Sequence, residues 1–168
     1  EPTLHPDFPE LVTKARDLGF EVGVVTNGSR LLAPDIAEAL ARYASYVRIS
    51  VDGPTPETHQ RIHGVSDFAG IVAGVKRLVS QRQNRHPIIG LSFALDHVMI
   101  PVIPKAIHLG ESLEVDYVLL RPPFFEEVGR ASTMSPLQAE ELRQQLKQAA
   151  QQHTGAMPVM IGLWKGDT

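Results

Sequence analysis

Short apolar runs alternate along the chain with longer stretches whose apolar positions recur at helical spacing. Residues 21–25 (EVGVV), 46–51 (YVRISV), 88–93 (IIGLSF) and 116–120 (DYVLL) read as strands rich in Val and Ile. Most of them lack strict alternation, which predicts strands covered on both faces. Between them, Phe8, Leu11, Val12, Ala15 and Leu18 share one side of a helix that stops at Gly19. A second helix is predicted from about Pro34 to Tyr43, and a third follows Asp67 and buries Phe68, Ile71, Val72, Val75, Leu78 and Val79. A fourth runs from about Ile103 to Leu113. The best-marked helix is the last. Ser135-Pro136-Leu137-Gln138 is a capping box with Pro at the first helical position, and Ala139, Leu142, Leu146 and Ala149 follow as an apolar stripe. MPVMIGLW (157–164) is a candidate for one further strand.

This helix–strand alternation predicts an α/β fold, a parallel sheet with crossover helices. The periodicity fits a (β/α) barrel and an open doubly wound sheet equally well. Both architectures place function at the C-terminal ends of the strands.

Polar residues gather there. One strand ends in VVTNG (Thr26, Asn27, Gly28), another in ISVDG (Ser50, Asp52, Gly53), and a third in LLRPP, with Arg121 followed by FFEE (Phe124, Phe125, Glu126, Glu127). Asn-Gly and Asp-Gly are ordinary turn chemistry, but three such ends on one rim favour a site. Ser50 lies inside an apolar run, where a hydroxyl costs energy unless it is bonded. In a barrel, alternation would aim Ser50 and Asp52 to one side and Ile49 and Val51 to the other. Ser92 holds a comparable place one strand later.

Composition narrows the classes. The apolar fraction is 43%, the mean hydropathy −0.07 and the net charge −3, which argue for a globular chain and against a nucleic-acid or anionic-membrane surface. The basic run KRLVSQRQNRH (Lys76 to His86) interleaves with apolar positions and reads as a solvated helix face. No apolar stretch reaches the roughly 20 residues of a membrane span. Cysteine is absent, which excludes disulfides, thiolate catalysis and Cys-ligated metal within these residues. His59 and His63 stand at zinc-ligand spacing, but the Glu that metalloprotease chemistry places beside the first His is missing, and no third ligand is evident.

Taken together, the pieces resemble the radical S-adenosylmethionine (SAM) enzymes. EPTLHPDFPELVTKARDLGF is similar to the segment that comes after the two glycines of that family's G-G-E-P motif, and VVTNG to the end of the next strand. ISVDGPTPETHQRIHG is the most specific match, and SFALDHVMIPVIPKAIHLGESLEVDYVLLRPPF resembles the fifth and sixth strands with their helix. The resemblance covers about Glu1 to Phe125. It implies a partial (β/α)6 TIM-like barrel, truncated at its N-terminus. Residues 1–155 would be the later part of the core, and 156–168 a last strand or the start of a C-terminal extension. The family's C-x-x-x-C-x-x-C loop, which ligates a 4Fe–4S cluster, would precede Glu1.

The implied chemistry is reductive cleavage of SAM at that cluster to a 5′-deoxyadenosyl radical, which abstracts hydrogen from a small polar or peptide substrate. A reductant such as flavodoxin or ferredoxin and a cytoplasmic location are implied with it, and the 168 residues alone are expected to be inactive. Residue by residue, the resemblance implies that Glu1 meets the methionyl amino group and Ser50 the ribose or carboxylate of SAM. Asn27 and Asp52 join them at the strand ends. Ser92, Leu95 and Leu120 would wall the adenosyl group, while Arg121, Phe124 and Glu126 face the substrate. His63 stands where many relatives carry Arg, with Arg61 as a substitute, and Met99 stands where a polar residue is common. Two other readings compete. GFEVGVVTNGS also resembles the second motif of haloacid-dehalogenase-like phosphatases, which need an Asp-x-Asp on an earlier strand. A non-catalytic barrel that binds a nucleotide-like ligand or a partner chain is the other.

Overall fold

The computed structural model describes residues 1–51, 53–121 and 135–162. Five strands, β1 (Gly23–Thr26), β2 (Tyr46–Ser50), β3 (Ile88–Ala94), β4 (Tyr117–Arg121) and β5 (Val159–Ile161), form one parallel sheet in chain order. The helices are α1 (Phe8–Asp17), α2 (Pro34–Tyr43), α3 (Pro56–His63), α4 (Phe68–Gln81), α5 (Ile103–Ser112) and α6 (Pro136–Gln152). Short 3-10 turns occupy Pro2–Leu4 and His97–Val102.

The strand order decides between the two architectures. A doubly wound sheet reverses its strand order at a switch point, which places helices on both faces. Here every connection returns to the adjacent strand, and right-handed crossovers then put all the connecting helices on one side. Burial agrees. Val24, Val47, Ile49, Ile89, Leu91, Phe93, Val118 and Leu120 point to the helices and are buried. On the opposite face Val25 is 39% exposed, Tyr46 43%, Ile88 44% and Met160 50%. The sheet is the wall of a partial barrel, with one face covered and one open.

The expectation of strands covered on both faces therefore holds only at the centre. β2 and β4 alternate between buried and less buried positions, whereas β3 is buried almost throughout. Apolar residues such as Tyr46 and Leu119 still occupy the open face, which is why the runs read as continuous.

Two features depart from the sequence expectations. α3 carries no strong helical pattern in the sequence. Its capping box pairs Thr55 with Thr58, a Thr in place of the usual Glu or Gln, and Pro56 occupies the first helical position. The basic run is also more than a solvated face. Arg82 and Arg85 both donate to the Asp116 carboxylate, Arg82 also donates to the Glu114 carbonyl (2.9 Å), and the Ile89 N–H donates to Asp116 (2.8 Å). This knot ties the end of α4 to the N-terminal ends of β3 and β4. Among the described residues, no helix is long and apolar enough to cross a membrane.

The Arg82 side chain is 7% exposed and that of Arg85 71%. Removing the partner of a buried charge costs about 3–5 kcal/mol, whereas an exposed pair contributes about 0–1 kcal/mol. Asp116→Asn should therefore lower the urea-unfolding free energy by several-fold more than Arg85→Gln does. Equal losses in the two variants would show that burial of Arg82 is not what the knot depends on.

Candidate functional site

The polar strand ends meet at the C-terminal rim of the sheet. Glu1 leads into the Pro2–Leu4 turn, and its carboxylate reaches the end of β1. Oε1 accepts from the Thr3 N–H (3.1 Å), the Thr3 hydroxyl and the Thr26 hydroxyl (2.7 Å), and Oε2 accepts from the Asn27 N–H (2.6 Å). A carboxylate offers about four lone-pair positions, two on each oxygen, so Oε2 keeps one for a further donor. Burial alone would raise the Glu1 pKa. The hydrogen bonds outweigh it, the Asn27 N–H foremost and then the Thr3 and Thr26 groups, and hold the carboxyl below its ordinary value.

Asn27 turns the chain after β1, its Oδ1 accepting from the Ser29 N–H (3.0 Å). Ser50 ends β2 on the open face, half-buried, in register with Ser92 of β3. Ser92 is 2% exposed, and its hydroxyl accepts from Arg121 Nε at the end of β4 (3.3 Å). Ser50, Ser92 and Arg121 thus form a continuous polar row across three strands, with Asn27 and Glu1 beside it over β1. As alternation requires, Ile49 and Val51 lie on the covered side, both buried.

Leu95 and Leu120 are placed differently. Both are 0% exposed and point to the helix layer, because each stands one residue out of phase with Ser92, Ala94 and Arg121. In β4 the open face is reached instead by Leu119. Arg61 is exposed on α3, and His63 is the last residue of that helix. Met99 is buried in the core. Asp52, Phe124 and Glu126 lie outside the described residues.

Sequence reasoning named Thr26 and His59 but not the partners that make them hold this rim in place, and it missed Thr3. Thr3 and Thr26 are the hydroxyl partners of Glu1, and the only sign of Thr26 is a hydroxyl closing an apolar strand. His59, which stands at zinc-ligand spacing from His63, is 1% exposed. Its Nε2 sits 2.8 Å from Asp67 Oδ1 and its ring centroid 5.7 Å from that of Phe68, so it joins α3 to the start of α4. A Cβ on Gly53 would fall 2.6 Å from the His59 backbone nitrogen, so the turn after β2 rests directly on α3. Among the described residues, no cluster of three or more His, Cys, Asp or Glu is arranged to hold a metal ion.

Comparison with known proteins bears on the family and the fold. A family model for the Radical SAM superfamily matches residues 1–97, a span that includes the stretch resembling the phosphatase motif. The chain is similar to the Fe-coproporphyrin III synthase of Methanosarcina barkeri, 28% identical over 145 residues, covering 86% of this chain and 35% of that protein. The fold superposes on Streptococcus suis SuiB bound to precursor peptide SuiA, with a TM-score of 0.76 at 12% identity, over 97% of this chain and 36% of that one. It also superposes on anSMEcpe with bound AdoMet and Kp18Cys peptide, TM-score 0.68 at 17% identity, over 96% and 47% of the two chains. The chain thus spans about a third of the length of the curated relative and less than half of these solved chains.

The lowered pKa of Glu1 has a consequence for stability. A carboxyl held below its unfolded value, about 4.3, stabilises the fold above that pH, and the contribution is lost as pH falls through the lower folded value. In urea denaturation from about pH 7 down to about pH 3, the wild-type chain should lose its advantage over Glu1→Gln only on the acid side of about pH 4.3. A difference that is unchanged across the whole range would mean that the charged carboxylate is not what the four donors stabilise.

Proposed function

The chain belongs to the radical SAM superfamily, and on that footing we propose that it forms the SAM- and substrate-facing wall of a radical SAM enzyme. The observation that carries this is the single polar row of Glu1, Asn27, Ser50, Ser92 and Arg121 at the C-terminal rim of a sheet whose adjoining face is open. These groups fit SAM by their chemistry. The remaining acceptor position of Glu1 suits an ammonium, and the hydroxyl of Ser50 suits a ribose hydroxyl or a carboxylate. The guanidinium group of Arg61 suits a carboxylate. Leu119 and Ala94, rather than Leu120 and Leu95, are the apolar neighbours on the same face.

The cluster is a different matter. These 168 residues contain no cysteine, so they do not fit a thiolate-ligated cluster. Bound SAM supplies the radical chemistry of the superfamily. Glu1 and Ser50 would hold the methionyl and ribose groups at the rim, and Leu119 and Ala94 would line the adenosyl group on the open face. Residues 1–155 act as the core of this wall in the same proposal, with 156–168 contributing its last strand or opening an extension.

A small polar molecule or a peptide is the substrate class, reducing equivalents coming from a flavodoxin- or ferredoxin-like donor. Peptide is supported by SuiB and anSMEcpe, whose structures contain the SuiA and Kp18Cys peptides. Arg121 at the end of β4 is assigned to the substrate side, together with Phe124 and Glu126 beyond it in the sequence.

The product of the complete natural gene, expressed anaerobically, should carry about four iron and four sulfide per polypeptide and cleave SAM on reduction, whereas the cysteine-free 168 residues alone should carry none. Ser50→Ala should weaken SAM binding about three- to tenfold, the loss of one hydrogen bond. An iron-free product of that gene that binds no SAM would overturn the proposal.

A further inference from the structure

Below the rim the open face changes character. Two residues before Ser50, about 7 Å along the strand, stands Arg48, in register with Val25 of β1 and Gly90 of β3. Gly90 is in turn in register with Tyr117 of β4. A Cβ added to Gly90 would lie 2.1 Å from Cζ of Tyr117, the carbon that bears the hydroxyl. The phenol therefore lies across Gly90, and its hydroxyl extends toward β2, where Arg48 is the residue opposite. Tyr46 leans across Gly23 in the same way, a Cβ there falling 2.1 Å from its ring. Glycine at these two positions provides the space the rings occupy.

Arg48 is half-buried and faces Tyr117 across Gly90, while the Tyr46 ring lies over β1. Among the described residues it pairs with no carboxylate. The nearest acid in sequence to Tyr117 is Asp116, which points to the other side of the sheet and already accepts from Arg82, Arg85 and the Ile89 N–H. Tyr117 cannot supply the missing charge. Burial pushes its pKa up, Arg48 opposes that only in part, and Tyr46 and Asp116 add to it. At neutral pH the Tyr117 phenol holds its proton and serves as a donor. A half-buried guanidinium facing a phenol donor, with no carboxylate paired to it among the described residues, matches an incoming oxyanion.

We propose that Arg48, with the Tyr117 hydroxyl across Gly90, forms an anion-binding subsite on the open face below the Ser50–Ser92 row, and that it takes a carboxylate or phosphate group of the substrate. The inference rests on the proposed function for what occupies the rim above, and it narrows the substrate to one bearing an oxyanion. The subsite has no part in the hydrogen bonds that hold SAM-facing groups in place, so the two are separable.

The probes are acetate and inorganic phosphate, titrated separately into the chain at low salt. The Arg48 Nε–H resonance locates binding, and calorimetry measures it. At least one anion should displace that resonance saturably. Arg48→Gln should lower its affinity at least tenfold, Arg48→Lys should restore part of the loss, and Tyr117→Phe should weaken binding about three- to tenfold. All three variants should melt within a few degrees of the wild type. No saturable response to either anion, or an unchanged affinity in Arg48→Gln, would overturn the subsite. SAM binding measured in parallel separates the two readings. Anion binding without SAM binding keeps the subsite and removes the proposed function, and SAM binding without anion binding does the reverse.

Discussion

Five parallel strands laid down in chain order, each joined to the next by a right-handed crossover, can have helices on one side only. The rest of the molecule depends on this constraint. The covered side carries the apolar load, with Val47, Ile49, Ile89, Leu91, Phe93, Val118 and Leu120 all fully buried. The other side is relieved of that duty. It can present Arg48, Ser50, Tyr117 and Arg121 without leaving polar groups stranded against a helix layer, which would cost kcal/mol for each unpaired group.

The two ends of the sheet divide the work. At the N-terminal end, the Asp116 carboxylate gathers Arg82, Arg85 and the Ile89 N–H, and so locks α4 against β3 and β4. At the C-terminal end, Glu1 gathers Thr3, Thr26 and Asn27, and His59 with Asp67 secures the turn after β2. The first knot satisfies its carboxylate within the fold. The second leaves Glu1 partly open to a further donor, and Ser50 and Arg121 half-buried beside it. In (β/α) barrel enzymes the functional end is the C-terminal one.

Much of this is legible from residue order. The strand runs, the Pro34–Tyr43 helix and the Ser135 capping box lie where periodicity and capping chemistry put them. Ser50 stands out because a hydroxyl inside an apolar run needs an explanation. The features that stay hidden depend on side-chain phase or on distant partners. Leu95 and Leu120 fall on the covered side because each is one residue out of step with the open face, a parity that a continuous apolar run conceals. Arg82 and Asp116 are 34 residues apart, and nothing local announces the pair. α3 escapes notice because its capping box uses Thr58 where an acidic or amide side chain is usual. Thr3 and Thr26 are ordinary residues until the carboxylate between them is seen.

The claim that organises all of this is that ligand occupies the open face and its C-terminal rim. Backbone amide spectra of the isotope-labelled chain, recorded with and without SAM, test it most directly. Shifts should concentrate at Asn27, Ser50, Ser92 and Arg121 and fade along the helix layer. Shifts confined to α2, α4 and α5, or to the strand ends around Asp116, would contradict it.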